Sequence, residues 1–168
     1  MDQIDAEPVA TLVGPLARRD DWAADRCSLA KALEVVGTRS AMLLMREAFY
    51  GTRRFDDFAR RVGITEAVAA TRLRGLVDAG LLTRRPYREP GRRTRQEYVL
   101  TPMGRDLAPA AVALMQWGDR YLADADGPPV VLAHAGCDEP VHVAVTCAAG
   151  HEVALGDVTV SVARRRTA

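Results

Sequence analysis

Cysteine and histidine side chains gather towards the C-terminus, where His134, Cys137, Cys147 and His151 fall within eighteen residues. Two Cys and two His at these spacings are a donor set that could hold zinc tetrahedrally on a small ribbon. The alternative is a metal-free β-hairpin in which these residues are incidental. We therefore assign no cofactor and keep zinc as an open alternative.

Cys27 is a second reactive candidate, since it stands beside Arg26 and directly before a predicted helix. A helix N-terminus and a neighbouring cation both favour the thiolate, the reactive form of cysteine. The residue is therefore a candidate redox sensor. The alternative is a small buried residue that packs the start of the helix.

Arginine is the third residue type of the chain with a candidate function. Residues 27–105 hold 16 basic and 8 acidic residues, a net charge of +8, whereas residues 1–26 carry −3 and residues 106–168 carry −4. Lys31 is the only lysine, so nearly all of this positive charge is arginine. A local excess of this size suits a polyanionic partner such as nucleic acid, with a solvated face as the alternative.

Composition excludes several classes of protein. The 168 residues are 48% hydrophobic and 27% charged, ordinary values for a globular domain and too apolar for disorder. No stretch approaches the roughly 18–20 apolar residues of a membrane helix, and the N-terminus lacks the pattern of a secretory signal. Three widely spread cysteines argue against a disulfide scaffold. We expect a cytoplasmic protein with no membrane partner.

Apolar periodicity predicts four helices in the basic segment, over residues 29–36, 39–50, 55–62 and 65–78. The second is apolar around most of its circumference, which predicts a buried central helix. The last two are joined through Gly63, the arrangement of a helix-turn-helix. In the fourth helix, Val68 is expected to pack against the core together with Ala69, Leu73, Leu76 and Val77.

An arginine-rich hairpin follows these helices. Residues 81–87 and 96–101 have strand character, and Pro90-Gly91 supplies the bend between them. Six of the twelve residues 84–95 are Arg. A helix-turn-helix followed by such a hairpin predicts a winged helix-turn-helix, a mainly α fold with a small β wing.

The remaining segments complete the predicted organisation. Thr101 is placed to cap a long helix that starts with Pro102. Residues 1–26 are expected to form a helical arm that supports a dimer, and residues 27–125 the winged helix-turn-helix domain with a C-terminal dimerisation helix. Residues 126–168, rich in alternating Val, predict a small β-rich appendage.

Several motifs resemble those of the HxlR-type winged-helix transcriptional regulators, relatives of the MarR family. The similarity covers about residues 27–125 and rests on Cys27-Ser28-Leu29, Leu33-Glu34-Val35-Val36-Gly37, Arg39, Phe55-Asp56-Asp57-Phe58, Ile64-Thr65, Arg72-Leu73-Arg74, Leu76, Gly80-Leu81, Tyr98, Leu100-Thr101 and Gly104. This resemblance implies a homodimeric DNA-binding repressor or activator. It also implies dimerisation through the terminal helices and a response to oxidants, electrophiles or small aromatic molecules.

The chain departs from the family pattern at three places. Ser28 replaces the usual Pro after the cysteine, and Gly150 stands where relatives with such a tail have a further Cys, so His151 would have to substitute as a ligand. Ser40 replaces the usual Trp. Met42 and Met45 could refill the lost volume, or the three residues could line a cavity for a small-molecule inducer.

The resemblance and the helical periodicity together predict the contacts with DNA. The N-terminal half of the second helix of such a motif enters the major groove, and wing arginines contact phosphates. Arg74 is the long base able to bind guanine or a phosphate. The predicted contact residues are Thr65, Glu66, Ala67, Ala70, Thr71, Arg74, Arg92, Arg93 and Arg95. Arg84, Arg85 and Arg88 could instead be partly structural.

The predicted function is a sequence-specific DNA-binding transcriptional regulator, a repressor that acts as a homodimer on a two-fold symmetric double-stranded operator. The apolar stripe of the long helix should form the dimer interface, with Leu107, Ala111, Leu114, Met115 and Leu122. An enzyme is not predicted, since the chain has no nucleophile elbow, phosphate-binding loop or Gly-rich cofactor turn. The alternative function is a winged-helix protein-interaction module without DNA binding.

Overall fold

The computed structural model describes residues 8–18, 27–91 and 93–163. They fall into two compact units: one comprises residues 27–142, and the other combines residues from both ends of the chain. In chain order the elements are β1 (Thr11–Leu12), α1 (Ser28–Val36), α2 (Arg39–Phe49), α3 (Phe55–Val62), α4 (Glu66–Asp78), β2 (Leu82–Tyr87), β3 (Arg95–Leu100), α5 (Pro102–Asp106), α6 (Ala108–Leu122) and β4 (Thr159–Val160).

Helix α2 lies at the centre of the larger unit, as its apolar circumference predicts. It packs against α1, α3, α4 and α6. Leu44 and Met45 of α2 are fully buried, in one cluster with Phe58 of α3 and Leu73 of α4. A close-packed hydrophobic core therefore holds the helix-turn-helix together.

The wing is an antiparallel pair of β2 and β3, in register from Leu82 opposite Leu100 to Tyr87 opposite Arg95. Tyr98 of β3 is buried and meets Phe58 edge to face, with ring centroids 6.0 Å apart. This contact joins the wing to the helical core. The predicted winged helix-turn-helix fold is confirmed.

The predicted long helix after Thr101 is two helices, α5 and α6, with the break at Leu107. Pro109 lies in the first turn of α6 and has no N–H to donate to the preceding turn. Gly104 is buried at the start of α5, where a Cβ atom would lie 2.1 Å from the carbonyl oxygen of Leu81. Thr101 caps α5 by accepting a hydrogen bond from the Gly104 N–H at 3.0 Å.

The smaller unit contains a parallel pair of β1 and β4. The arm was predicted to be helical, but residues 8–18 form β1 and a short 3-10 turn, Gly14–Ala17. Gly14, at a φ of 62°, and Pro15 explain this difference, because neither residue favours an α-helix. In the described Val-rich tail, extended pairing is limited to β4 and two isolated bridges, Ala133 with Pro140 and Thr146 with Glu152.

Within the described residues, no helix has both the length and the hydropathy needed to cross a bilayer.

Candidate nucleic-acid interface

The turn between α3 and α4 is built around Gly63, whose φ of 68° lies in the left-handed region. Its N–H donates to the carbonyls of Ala59 and Arg60, which ends α3. Thr65 then starts α4, since its hydroxyl accepts a hydrogen bond from the Val68 N–H at 3.3 Å. The predicted cap is confirmed, and it fixes the first turn of α4.

The inner face of α4 is held by Ala69, Leu73 and Leu76, each 1% exposed or less. This i, i+4, i+7 spacing buries one stripe and turns the opposite face to solvent. The expectation that Val68 packs against the core is wrong, because its side chain is 40% exposed. Val68 is therefore an apolar residue of the outer face that the sequence analysis missed.

The outer face carries most of the predicted contact residues. Ala70 is half-buried, and the exposed members are Thr65, Glu66, Ala67, Thr71 and Arg74. Thr71 donates its hydroxyl hydrogen to the carbonyl of Ala67 at 3.0 Å, so that donor is already used within the helix. The first turns of α4 thus present small side chains and methyl groups, which allow close approach to another surface.

Unpaired arginines lie on α4, before α3 and on the wing. Among the described residues, the exposed arginines that form no ion pair or side-chain hydrogen bond include Arg53, Arg72, Arg74, Arg84 and Arg93. Arg53 and Arg72 were not identified from the sequence as candidate contact residues. For Arg72 a signal existed, because no carboxylate stands three or four residues away on its helix. Charges of this kind are free to meet an external anion.

The wing is attached to the segment before α3 by backbone pairing. The Tyr98 N–H donates to the carbonyl of Arg53 at 2.8 Å, and Arg54 forms an isolated bridge with Glu97. These backbone contacts fix the base of the wing to the helix-turn-helix.

Arg54 also braces the wing with its side chain. Its Nη2 lies 2.5 Å from Oε1 of Glu89, and its guanidinium stands 5.1 Å from the ring centroid of Tyr87. The hydrogen bond to Glu89 and the charge of that carboxylate raise the pKa of Arg54 further above its ordinary value. Arg54 is therefore a permanently charged clamp at the β2 end of the loop between β2 and β3.

The wing arginines divide into paired and unpaired side chains. Arg85 binds Glu97, with Nη2 at 2.6 Å from Oε1, and serves the wing itself. Arg95 lies 3.9 Å from Asp56, a loose pair that leaves it exposed. Arg93 is exposed and unpaired within the described chain, whereas Arg92 lies outside the described residues. Arg93 is thus the described wing arginine that best fits the predicted phosphate contact.

The residues predicted for the dimer interface lie on two faces of the α5–α6 segment. Leu107 packs against the core of its own chain, and Ala111 and Met115 are half-buried and face α2. Leu114 and Leu122 are 55% and 70% exposed. The exposed apolar stripe of α6 also includes Trp117 and Tyr121, which the sequence analysis missed.

The residues predicted for a ligand pocket are also separated. Met42 lines a cavity between α2 and α6, but Met45 is fully buried in the core and Ser40 does not line the cavity. Of the three predicted pocket residues, only Met42 therefore lines the cavity.

Cys27 is free and half-buried at the N-cap of α1, where its carbonyl accepts from the Lys31 N–H. In the tail, His134 Nδ1 lies 3.1 Å from Cys137 Sγ. Backbone N–H groups of His151 and Ala149 lower the pKa of the exposed Cys147 thiol. No group of three or more His, Cys, Asp or Glu side chains suited to a metal ion occurs in residues 8–18, 27–91 and 93–163. The zinc interpretation therefore gains no support.

Known proteins share this architecture. An uncharacterised HTH-type transcriptional regulator of Mycobacterium tuberculosis is 46% identical over 133 residues, which cover 79% of this chain and 83% of that protein. A proposed transcription factor of Pseudomonas aeruginosa superimposes with a TM-score of 0.60 at 36% identity, covering 84% of this chain and 95% of the other. The redox regulator HypR in its oxidised form gives a TM-score of 0.52 at 28% identity, over 58% of this chain and 100% of HypR.

The family model for HxlR-like helix-turn-helix proteins matches residues 35–126, more than half of the chain. Its members are transcriptional regulators, a non-enzymatic class, which confirms that no enzyme is to be expected. With α4 capped by Thr65, an arginine-rich wing and these relatives, the chain belongs to the HxlR-like helix-turn-helix family of DNA-binding transcriptional regulators.

Proposed function

We propose that this regulator is a homodimeric repressor that binds a two-fold symmetric operator in the cytoplasm. An oxidant, an electrophile or a small molecule would release it. The observation that carries the DNA-binding part is the outer face of α4, with small side chains, Val68 and Arg74. Unpaired arginines on α4 and the wing support it, because they can replace the counterions of a DNA backbone.

The two parts of the interface have different tasks. The N-terminal half of α4 enters the major groove, where Val68 and the Thr71 methyl can meet thymine methyl groups and Arg74 can reach a guanine. Arg93 and Arg92 on the wing, with Arg95, contact phosphates or enter the minor groove. They supply affinity and salt dependence more than specificity.

The wing is tested by replacing Arg93 alone and together with Arg92 by Ala. Each lost phosphate contact should reduce the slope of log Kobs against log salt by about 0.9, equally for all DNA sequences. Fluorescence polarisation with labelled promoter DNA at several salt concentrations measures this slope. Arg105→Ala, an exposed arginine of α5, is the matched control and should bind like the wild type.

Wild-type slopes in both wing variants would show that the hairpin is not the electrostatic anchor. If the wild-type protein itself binds no genomic fragment at low salt, the molecule is a protein-interaction module instead.

The dimer is assigned to the exposed apolar side chains of α6 and α1. Leu114, Trp117 and Tyr121 recur at i, i+3 and i+7 on α6, and Leu29 and Leu33 of α1 are 66% and 53% exposed. Apolar stripes of this kind on terminal helices are typical of a self-association surface. The observation replaces part of the predicted interface, since Leu107 and Met115 are used within the chain.

Light scattering at micromolar concentration should give about twice 18.3 kDa. Trp117→Glu should yield a monomer, whereas Leu155→Glu, at an equally exposed position outside α6, should leave the dimer intact. A monomeric wild type would remove the reason for a two-fold operator, whose half-sites lie about 34 Å apart.

Release by an oxidant is assigned to Cys27. It lies at the start of α1, one of the two helices proposed for the dimer, and HypR, a structural neighbour, is a redox regulator known in reduced and oxidised forms. An adduct on this half-buried thiol would displace α1 and change the spacing of the two recognition helices.

The test compares Cys27→Ser with the wild type in a background where Cys137 and Cys147 are replaced by Ser. Diamide should weaken DNA binding only when Cys27 is present, and dithiothreitol should restore it. If diamide changes the DNA binding of both proteins equally, Cys27 has only a packing role.

A further inference from the structure

A cavity of about 720 Å³ lies between α2, α6 and the segment 129–132 of the larger unit. Its wall is mostly apolar and includes Met42, Leu43, Phe49, Ala111, Leu114 and Met115. Small-molecule sites in proteins occupy about 300–1,000 Å³ and have this type of lining. The cavity therefore has the size and surface of a ligand site.

The third wall of the cavity is held in place by the chain itself. Gln116 Nε2 on α6 donates to the carbonyl of Val141 at 2.7 Å, and the Val141 N–H donates to the carbonyl of Leu132 at 2.8 Å. Val130 and Leu132 thus close one side of the space above α2 and α6. A small molecule fits this three-sided enclosure better than a helix from a second copy, which needs an open face.

The polar groups at the cavity leave one negative charge uncompensated. Glu47 is 6% exposed, and its carboxylate accepts from Arg46 at 2.8 Å and from the Thr52 hydroxyl at 3.2 Å. Asp119, by contrast, has no ion pair or hydrogen bond with any described residue. Among the described residues, the Tyr50 hydroxyl donates to the thioether sulfur of Met115 at 3.6 Å, a weak acceptor.

We propose that this cavity binds a lipophilic cation, an aromatic molecule with a positively charged nitrogen. Asp119 would be its counter-ion, and the faces of Tyr50 and Phe49 would attract the cation through their ring quadrupoles. Met42 and Met115 supply flexible, polarisable contacts that adapt to ring systems of different shape. An organic anion would meet the uncompensated carboxylate and is disfavoured.

The position of the cavity couples ligand binding to DNA binding. This coupling rests on the proposed function. On one side, α2 shares its core with α4 through Leu44 and Leu73. On the other side, α6 carries the exposed stripe assigned to the dimer. A ligand wedged between α2 and α6 would change the angle between the recognition helix and the dimer axis, and so weaken operator binding.

The direct test uses rhodamine 6G, a fluorescent lipophilic cation, and measures its polarisation with the full chain in the absence of DNA. Asp119→Asn should weaken binding about fivefold or more, because it removes the counter-ion at nearly constant shape. Asp106→Asn, at an exposed position of α5, is the matched control and should bind like the wild type. Ala111→Trp should abolish binding by filling the cavity, with folding checked by thermal unfolding.

Binding that is unchanged in both Asp119→Asn and Ala111→Trp would overturn the proposal. Equal binding of fluorescein, an anionic dye of similar ring size, would also overturn it. So would rhodamine 6G binding that disappears as the protein dimerises, because a second copy would then occupy the cavity. DNA affinity is measured separately. If rhodamine 6G binds as expected but leaves DNA affinity unchanged, the site stands and the coupling to DNA release is wrong.

Discussion

Helix α4 and the wing are held in place by different interactions. Helix α4 is fixed by Ala69, Leu73 and Leu76, which are almost fully buried in the core. The wing is fixed at its base by Tyr98, but its distal half depends on exposed charged contacts of Arg54 and Arg85. Close packing fixes a position sharply, whereas exposed ion pairs contribute little and are screened by salt.

This difference suits the tasks proposed for the two regions. A side chain that forms hydrogen bonds with a base edge needs a scaffold placed to within a fraction of an ångström. A guanidinium that meets a phosphate gains most of its effect from charge and tolerates some displacement. Perturbing the core should therefore affect α4 strongly, and perturbing the ion pairs should affect only the wing.

The largest effect is expected for Leu73→Ala. It leaves a cavity beneath α4 and should lower the free energy of unfolding by about 2–5 kcal/mol, measured by urea denaturation. Arg72→Ala, the exposed neighbour, should change it by less than about 0.5 kcal/mol. Similar effects of both substitutions would mean that the core does not hold α4.

Arg74→Ala should alter base preference without changing stability. A lost bidentate contact with guanine costs about 1–3 kcal/mol at one operator position, and a selection of bound DNA sequences would detect it. Arg93→Ala is the comparison, since it should weaken binding to all sequences alike. A uniform loss in Arg74→Ala would make Arg74 a phosphate contact as well.

Thr65→Ala should lower the free energy of unfolding by about 1 kcal/mol, because the Val68 N–H loses its cap. Thr65→Ser keeps the hydroxyl and should be close to the wild type in urea denaturation. Equal losses in both variants would assign the effect to the Thr methyl group rather than to the cap.

The smallest effect on stability is expected for Arg54→Ala. Global unfolding should stay unchanged, while amides of the wing loop, residues 88–91, should exchange hydrogen faster because Glu89 and Tyr87 lose their clamp. Arg54→Lys keeps the charge and should retain part of the protection. Unchanged exchange in Arg54→Ala would show that backbone pairing alone holds the wing.

The helix-turn-helix and the wing could be predicted because local signals agree there with the tertiary structure. Gly63 and Thr65 mark the turn, and the stripe of Leu73 and Leu76 marks the inner face of α4. Val68 shows the limit of this reasoning. An apolar residue at the edge of a helical stripe can face the core or the solvent, and only the packing of α1 and α2 decides which.

The C-terminal helices were harder to predict, since α6 is apolar on two faces. One face, with Ala111 and Met115, lies towards α2, while Trp117 and Tyr121 point to solvent. Periodicity alone merges the two faces into one stripe. The division depends on the break at Leu107 and on the tertiary contact with α2, neither of which has a local sequence signal beyond Pro109.

Gly104 makes the contact between α5 and the start of β2 rigid. With a Cβ position 2.1 Å from the carbonyl oxygen of Leu81, even the methyl group of alanine would push the two backbones apart. The hydroxyl of Thr101 also donates to the Gly80 carbonyl at 2.6 Å, at the end of the α4 segment. Any hinge that changes the angle between the helix-turn-helix and α6 must therefore lie elsewhere. The cavity between α2 and α6 is the place with room for such a movement.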